Sequence, residues 1–439
     1  MITKIMKKGI MNKSMGKAKF YFFKIRNFSL FLIVGSILGL LALIVVYCIP
    51  SDKMKSHVQQ SIPMIQRDFQ YSDVIEGYPA SCVGSFTDCL MLEHSVYSSE
   101  EHTLLEQVMY MYRGESSEGE GWAPGYSLID YLSGAEQVRE VEYSRYWHGY
   151  LVILKPLLYL MSFNAIRVLA SCIQLFLLSL VLIMCFQRNE KLLGIGFVAA
   201  MPFLYFSNLY MSLSLSICFY LLAVSVMIQL KWNEKICRLQ WYGEFFFIIG
   251  MAVAYFDFLT YPLVTLGFPL CICLYLNGYN LKNGLKKIGG YSACWFGGYI
   301  GLWAMKWVLT DILVEGSTIK DSIDTILQRT DHASDQSRLS GFISVVFNNL
   351  DAYTNWAFYL VILAILVGVV LLFTSKRNNL RKENIGCAVS ILIVAVYPFV
   401  WFFFVQNHSE EHWLFTCKIL SISIFAFICA VGKMVKNME

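Results

Sequence analysis

The chain has 439 residues, is 57% hydrophobic and only 15% charged, with a mean hydropathy of +0.54 and a net charge of +4. A soluble domain averages about 45–50% apolar and about 25% charged residues. The composition therefore excludes a disordered chain, a collagen-like chain and an ordinary water-soluble domain.

Aromatic residues reach 15%, which suits a protein with two membrane interfaces to anchor. A spanning helix needs about 20 mostly apolar residues to cross about 30 Å of hydrocarbon. In chain order, spans are expected near 28–49, 166–186, 210–230, 288–309, 354–374, 385–404 and 413–433. The stretch 192–206 is shorter and contains Pro202. The run 243–276 is too long for one span and is broken by Asp257 and Pro262, so it divides into 243–257 and 261–276. The expected fold class is an all-α polytopic membrane protein of about ten transmembrane helices, because backbone groups in lipid must bond within their own segment.

Lys and Arg in short loops set the orientation. Residues 1–27 carry Lys4, Lys7, Lys8, Lys13, Lys17, Lys19, Lys24 and Arg26 and no acid, so the N-terminus is expected in the cytoplasm and the first span is read as a retained anchor. Alternate loops are basic: Arg188 and Lys191; Lys231, Lys235 and Arg238; Lys282, Lys286 and Lys287; Lys376, Arg377, Arg381 and Lys382; Lys433 and Lys436. All fall inside if 146–163, which carries His148, Lys155 and Pro156, lies on the outer surface as a helix instead of crossing.

The resulting organisation is a basic cytoplasmic N-terminus (1–27), a first span (28–49) and an extracytoplasmic loop with a surface helix (50–165). A bundle of about six helices (166–309), a second outer loop (310–353), three C-terminal spans (354–433) and a cytoplasmic tail (434–439) follow. Residues 50–146 hold 16 Asp and Glu against six Lys and Arg, and residues 310–353 hold seven acids against three bases. The charge is sorted by side, basic within and acidic without. Solvation of exposed loops accounts for most of the acids.

Most of the 13 cysteines sit in spans and behave as small apolar residues. Cys82 and Cys89 fall in the first outer loop, where a disulfide between them is left open. His408-Ser409-Glu410-Glu411-His412 matches the H-x-x-E-H string of inverted zinc peptidases. A third ligand is wanting, since Glu439 is the one later acid and lies on the inner side. Hydrogen bonding at a substrate cleft and plain interface positions remain as readings of His408 and His412. No phosphate-loop, dinucleotide or G-x-S-x-G pattern occurs. Basic residues beside the membrane are explained by anionic lipid, and nucleic acid is not required.

One span, then about a hundred outer residues, then a surface helix and a polytopic bundle is an arrangement suited to an enzyme acting on a lipid-borne substrate. In the loop, Phe86-Thr87-Asp88-Cys89-Leu90-Met91-Leu92 is an apolar island with one carboxylate, which is either a helix cap or a positioned base. Further on stand Arg145-Tyr146-Trp147-His148, then Lys155-Pro156-Leu157-Leu158 and Arg167. On these residues the chain resembles the superfamily C glycosyltransferases, integral membrane enzymes that use polyprenyl-phosphate sugars. The resemblance implies a catalytic Asp in the first outer loop, here Asp88, and a surface helix of His-x-x-Pro-Leu type ending near an Arg that opens the next span. The spacing from His148 to Pro156 is longer than in that pattern. Cys89 replaces the second acid of many members, so a divalent cation is left open and no other cofactor is implied. The implied partners are a polyprenyl-phosphate-linked sugar donor, a glycan or lipid-linked acceptor and the bilayer. The expected setting is a bacterial cell membrane.

Sugar transfer from a lipid phosphate needs a base for the acceptor hydroxyl and positive charge for the departing phosphate. Asp88 is the candidate base. Arg145, His148, Arg167, Asp257, Tyr261, His408, His412 and Lys418 are candidate substrate-binding residues, with Arg167 and Lys418 expected at or just below the outer interface. Lys155 and Lys306 are expected to snorkel to the interface. Asp257 lies among apolar and aromatic neighbours at the outer turn between two spans, where it binds a sugar hydroxyl, a metal or the acceptor, or forms a structural pair. Aromatics around it, with Trp401 and Trp413, are read as sugar-stacking surfaces or as interface belts. A polymerase of surface polysaccharide and a transporter or flippase of lipid-linked glycan are the rival functions.

Overall fold

The computed structural model describes residues 17–68, 73–116, 124–135, 138–314, 316–331, 337–376 and 384–435. Much of the basic N-terminus, most of the basic loop 376–382 and the tail beyond residue 435 lie outside these residues.

Helix α1 (Lys17–Tyr47) leads into a folded lobe, not an open loop. The lobe contains α2 (Ser51–Gln59), α3 (Ile62–Arg67), α4 (Ser85–Val96), α5 (Leu104–Tyr110), strand β1 (Arg113–Ser116), α6 (Pro124–Ser133) and strand β2 (Val138–Val141). The all-α expectation misses the ribbon: β1 and β2 pair antiparallel, Arg113 opposite Val141 and Ser116 opposite Val138. Four-residue strands rich in charged residues give almost no alternating signal in a sequence. Helix α4 is the centre of the lobe, with ten of its twelve residues buried. Helix α5 starts at a capping box, Thr103 accepting from the Glu106 N–H while the Glu106 carboxylate accepts from Thr103.

Helix α7 (Leu151–Leu160) follows. Its ten residues extend only about 15 Å, too short to cross hydrocarbon. Beyond it come α8 (Phe163–Gln187), α9 (Lys191–Leu204), α10 (Leu213–Leu239), α11 (Tyr242–Phe256), α12 (Val264–Asn277) and α13 (Leu281–Leu313). The chain continues through α14 (Thr318–Thr330), α15 (Arg338–Asp351), α16 (Trp356–Lys376), α17 (Ile385–Phe404), α18 (Gln406–Glu411) and α19 (Trp413–Val435).

Among the described residues, five helices are long and apolar enough to cross a membrane: Lys24–Tyr47 of α1, α8, α10, α17 and α19. Helices α15 and α16 meet at a bend of 94° and together meet the same test as one broken span. The protein is thus helical and polytopic. The segments 192–206, 243–257 and 261–276 are helical, as α9, α11 and α12, but with 14 or 15 residues each is shorter than the five helices that meet the length for a crossing. The expected span 288–309 lies within α13, whose 33 residues extend about 50 Å, more than the hydrocarbon depth. The expected second loop, 310–353, holds two helices with exposed apolar stripes: Ile319, Ile323, Ile326 and Leu327 on α14; Leu339, Ile343, Phe347 and Leu350 on α15. Such stripes suit helices lying in a membrane interface.

Helices α11 and α13 pack at backbone contact. A Cβ at Gly250 would lie 2.1 Å from the Trp295 carbonyl oxygen, and one at Gly298 would lie 2.0 Å from that of Phe247. Small residues allow this close approach between apolar helices.

Four buried cations fasten the lobe and its flanking turns to the helices. Lys155 of α7 donates to the Ser95 carbonyl in the last turn of α4 at 2.8 Å, with its ammonium 4.5 Å from the centre of the Tyr47 ring. Lys306 of α13 donates to the carbonyls of Met109 (2.7 Å) and Val108 (3.3 Å) in the last turn of α5. Lys418 reaches the Ala80 carbonyl at 3.5 Å, and Arg167 of α8 pairs with Asp68. The expected snorkelling of Lys155 and Lys306 is therefore corrected. Both are buried, because the carbonyl ends of α4 and α5 supply the partial negative charge that replaces water. Lys306→Met should leave the carbonyls of α5 without a donor and cost about 1–3 kcal/mol. The expected result is faster maleimide labelling of buried Cys89 on heating, with a lower midpoint than the parent protein.

Candidate functional site

Asp88 stands in the first turn of α4 and is 2% exposed. Its carboxylate crosses to the start of α10. Oδ1 accepts from the Ser214 N–H at 3.0 Å and the Ser214 hydroxyl at 2.7 Å, and Oδ2 accepts from the Leu213 N–H at 2.9 Å. The first N–H groups of a helix have no partner within it. Ser212 precedes α10 but makes no side-chain cap there. Its hydroxyl accepts the Gly84 N–H at 2.6 Å instead. Asp88 thus caps a helix 125 residues further along the chain, and the positive end of that helix favours its negative charge. Burial pushes the Asp88 carboxyl above its ordinary value, while Arg167 and the donors from Ser214 and Leu213 pull it back.

The other pole of the site is Arg167, 4% exposed at the head of α8. Its guanidinium pairs with Asp68 and lies 4.9 Å from the centre of the Phe163 ring, and its Nε has no hydrogen-bond partner among the described residues. Asp68 also accepts from Arg67 Nε at 3.1 Å, and its carbonyl accepts from the Ser85 hydroxyl at the start of α4. Asp68, Arg167 and Asp88 therefore form one buried charge cluster where lobe and bundle meet. An apolar cleft of about 190 Å³ runs between α7, α8 and α10. Leu213, whose N–H Asp88 accepts, and Met91, one turn beyond Asp88, both line it. Lys418 flanks the same seam in the turn Cys417–Leu420, its ammonium 5.9 Å from the centre of the Tyr205 ring.

The remaining expected residues divide between two other places. His148 lies inside an aromatic cluster, its Nε2 at 2.8 Å from the Tyr143 carbonyl and its Nδ1 at 3.0 Å from the Tyr150 hydroxyl. Its ring is 4.6 Å from that of His94. Tyr261 is buried with its hydroxyl donating to the Leu215 carbonyl in the first turn of α10. Both have their polar atoms spent within the fold.

Asp257 closes α11. Its Oδ2 accepts from the Thr260 N–H at 2.9 Å and its Oδ1 from the Thr260 hydroxyl, a local turn that puts Leu259 in the left-handed region at φ +65°. His408 Nε2 lies 2.9 Å from the Leu259 carbonyl and its Nδ1 3.4 Å from the Arg329 guanidinium. His412 lies edge-on to it, ring centres 4.7 Å apart. Arg145 pairs with Asp321 at 2.9 Å. Asp257, His408 and Arg145 therefore gather round α14, whereas Asp88, Arg167 and Lys418 gather at the lobe seam. Among the described residues no group of three His, Cys, Asp or Glu side chains is placed to hold a metal ion. Cys82 and Cys89 are free thiols.

Asp68 and Arg329 are absent from the sequence-derived set. Each is an ordinary charged residue in a polar segment, and its partner lies 99 or 79 residues away. No spacing within the chain marks either. Comparison with family models, curated proteins and solved structures finds no match.

Burial lowers both imidazoles of the adjacent pair, His94 to about 3 and His148 well below its usual value. Both are neutral in the fold, while the unfolded chain protonates near pH 6.5. As pH falls below about 6.5 the unfolded state takes up protons that the folded state refuses, so stability drops by about 1.4 kcal/mol per pH unit for each imidazole. Thermal melts between pH 7 and 4 should show this decline, and His94→Asn should reduce its slope.

Proposed function

We propose that this protein is a membrane glycosyltransferase that moves a sugar from a polyprenyl-phosphate carrier to an extracytoplasmic glycan or lipid-linked acceptor. The observation that carries the reading is the buried Asp88–Arg167–Asp68 cluster beside an apolar cleft, whose lining includes Met91, Ile166 and Leu213 next to it. A lipid-linked phosphate needs that combination: an apolar channel for the chain, and fixed charge where chain and phosphate meet.

In this reading the carrier lies in the cleft between α7, α8 and α10, with its phosphate toward Arg167. The free Nε of Arg167 offers a donor to that phosphate, where charge develops as the carrier leaves. Asp88 acts as the base. Its Oδ2 accepts a single hydrogen bond among the described contacts, leaving a lone pair for an acceptor hydroxyl, and its raised pKa matches proton removal better than an ordinary carboxylate would. The lobe faces outward and both termini lie in the cytoplasm, in a bacterial membrane. Both Asp68 oxygens are engaged by guanidinium groups, so Asp68 serves to hold Arg167 in this reading and is not assigned as a cation ligand. The rival readings are a transporter or flippase of lipid-linked glycan, for which the same cleft would bind lipid without transfer, and a polymerase of surface polysaccharide, for which the acceptor would itself be a lipid-linked glycan.

Asp88→Asn keeps the shape of the side chain and removes the base. Transfer from a polyprenyl-phosphate sugar to acceptor, followed by mass spectrometry of surface glycans, should fall about 100-fold or more. The thermal melt serves as control for the lost cap. Unchanged glycans with normal expression would remove Asp88 as base. Carrier-linked glycan that accumulates on the inner side, with transfer intact in vitro, would replace the transferase by a transporter.

A further inference from the structure

A cleft of about 520 Å³ lies between α1, α10 and α11, at the end of the bundle away from the lobe. Asn27 of α1 lines it, whereas Tyr47 at the other end of α1 reaches Met111 of the lobe at 3.2 Å. The helix between them extends about 30 Å, the depth of the hydrocarbon. The walls are apolar: Phe31 of α1, Ile228 of α10, Phe245 and Ile248 of α11. Trp232, where α10 is kinked, and Trp241 also line it, and both are exposed. Indole rings favour the boundary between hydrocarbon and water, so this mouth belongs at a bilayer surface.

The charge at the mouth is uneven. Residues 231–244 hold two acids, and bases from other helices neutralise both. Glu244, in the cleft wall, pairs with Lys24, which also donates to the Gln240 carbonyl at 3.0 Å. Glu234 pairs with Arg188. The three bases of the same stretch, Lys231, Lys235 and Arg238, are exposed and make no ion pair among the described residues. Lys235 itself lines the cleft, and the Lys231 ammonium lies 4.8 Å from the centre of the Trp232 ring. An apolar groove with surplus positive charge at its mouth suits a molecule with an apolar chain and an anionic head.

We propose that this cleft holds one glycerophospholipid of net negative headgroup, with an acyl chain against the apolar walls and the phosphate beside the Lys235 ammonium. A zwitterionic lipid would add its own cation where three already stand. The site lies at the opposite end of the bundle from Asp88, and nothing in the inference depends on transfer chemistry.

The test uses the full-length protein, stripped of lipid in detergent, and counts bound lipid by native mass spectrometry. The titrants are dioleoyl phosphatidylglycerol, dioleoyl phosphatidylcholine and inorganic phosphate. The first phosphatidylglycerol should bind about tenfold tighter than phosphatidylcholine, and equimolar inorganic phosphate should not displace it. Lys235→Gln should weaken that first phosphatidylglycerol about fivefold and leave phosphatidylcholine as it is. Ile248→Trp, which fills the cleft, should weaken both lipids. Lys282, exposed in the first turn of α13, lies at the same end of the bundle, since Asn277 just before α13 donates to Asn233 of α10 at 3.1 Å. It is outside the cleft, so Lys282→Gln should change neither lipid. Equal affinity for the two lipids overturns the proposal. So does an equal loss in Lys282→Gln and Lys235→Gln, which would assign the preference to diffuse charge. Displacement by inorganic phosphate also overturns it, and assigns Lys235 to a free anion.

Discussion

The protein depends on one kind of contact: a buried cation from the bundle seated on the lobe or its flanking turns. A buried ammonium is expensive unless oxygen atoms replace its water. Lys155 and Lys306 find those atoms at the carbonyl ends of α4 and α5, where helix geometry leaves acceptors unfilled. Each contact therefore settles two costs, one from the helix end and one from the cation. Arg167 does the same with the carboxylate of Asp68. The lobe is held on the bundle by these few polar bonds, set in apolar packing.

The fastening works in the opposite sense at α10. There the bundle presents a bare helix start, and the lobe supplies the carboxylate of Asp88. Cations of the bundle cap helices of the lobe, and an anion of the lobe caps a helix of the bundle. Reciprocal capping of this kind fixes the height and rotation of α4 against α10. It also explains why a structural carboxylate and an apolar cleft share one wall. The two readings of Asp88, cap and base, are thus compatible: the donors of α10 hold Oδ1 and one side of Oδ2 in place.

Asp257, His408 and Arg145 tell a different story. The sequence places them near the membrane boundary, as it does Arg167 and Lys418. The fold sends the two sets to separate places because α10 begins between them. Its first turn takes Asp88 at Leu213 and Ser214, whereas Cys218, one turn later, contacts Thr260 of the Asp257 turn at 3.5 Å. One helix end divides what linear order leaves together.

The sequence by itself determined the membrane character, the helical class, the start of most of the long apolar helices and the separation of a polar lobe after the first apolar helix. Hydrophobic period and length carry that information, because hydrocarbon leaves the backbone no other way to bond. It also marked Asp88, since an acid inside an apolar island is unusual wherever the island lies. It did not yield the β ribbon, whose strands are too short and too charged to alternate, or the helices in 310–353. Nor did it yield the fate of Lys155 and Lys306. A lysine near a boundary reads as snorkelling until a carbonyl from about 60 or about 200 residues away arrives to bind it. Only the tertiary structure decided which charges are buried together, because each such choice rests on a helix end brought in from a distant part of the chain.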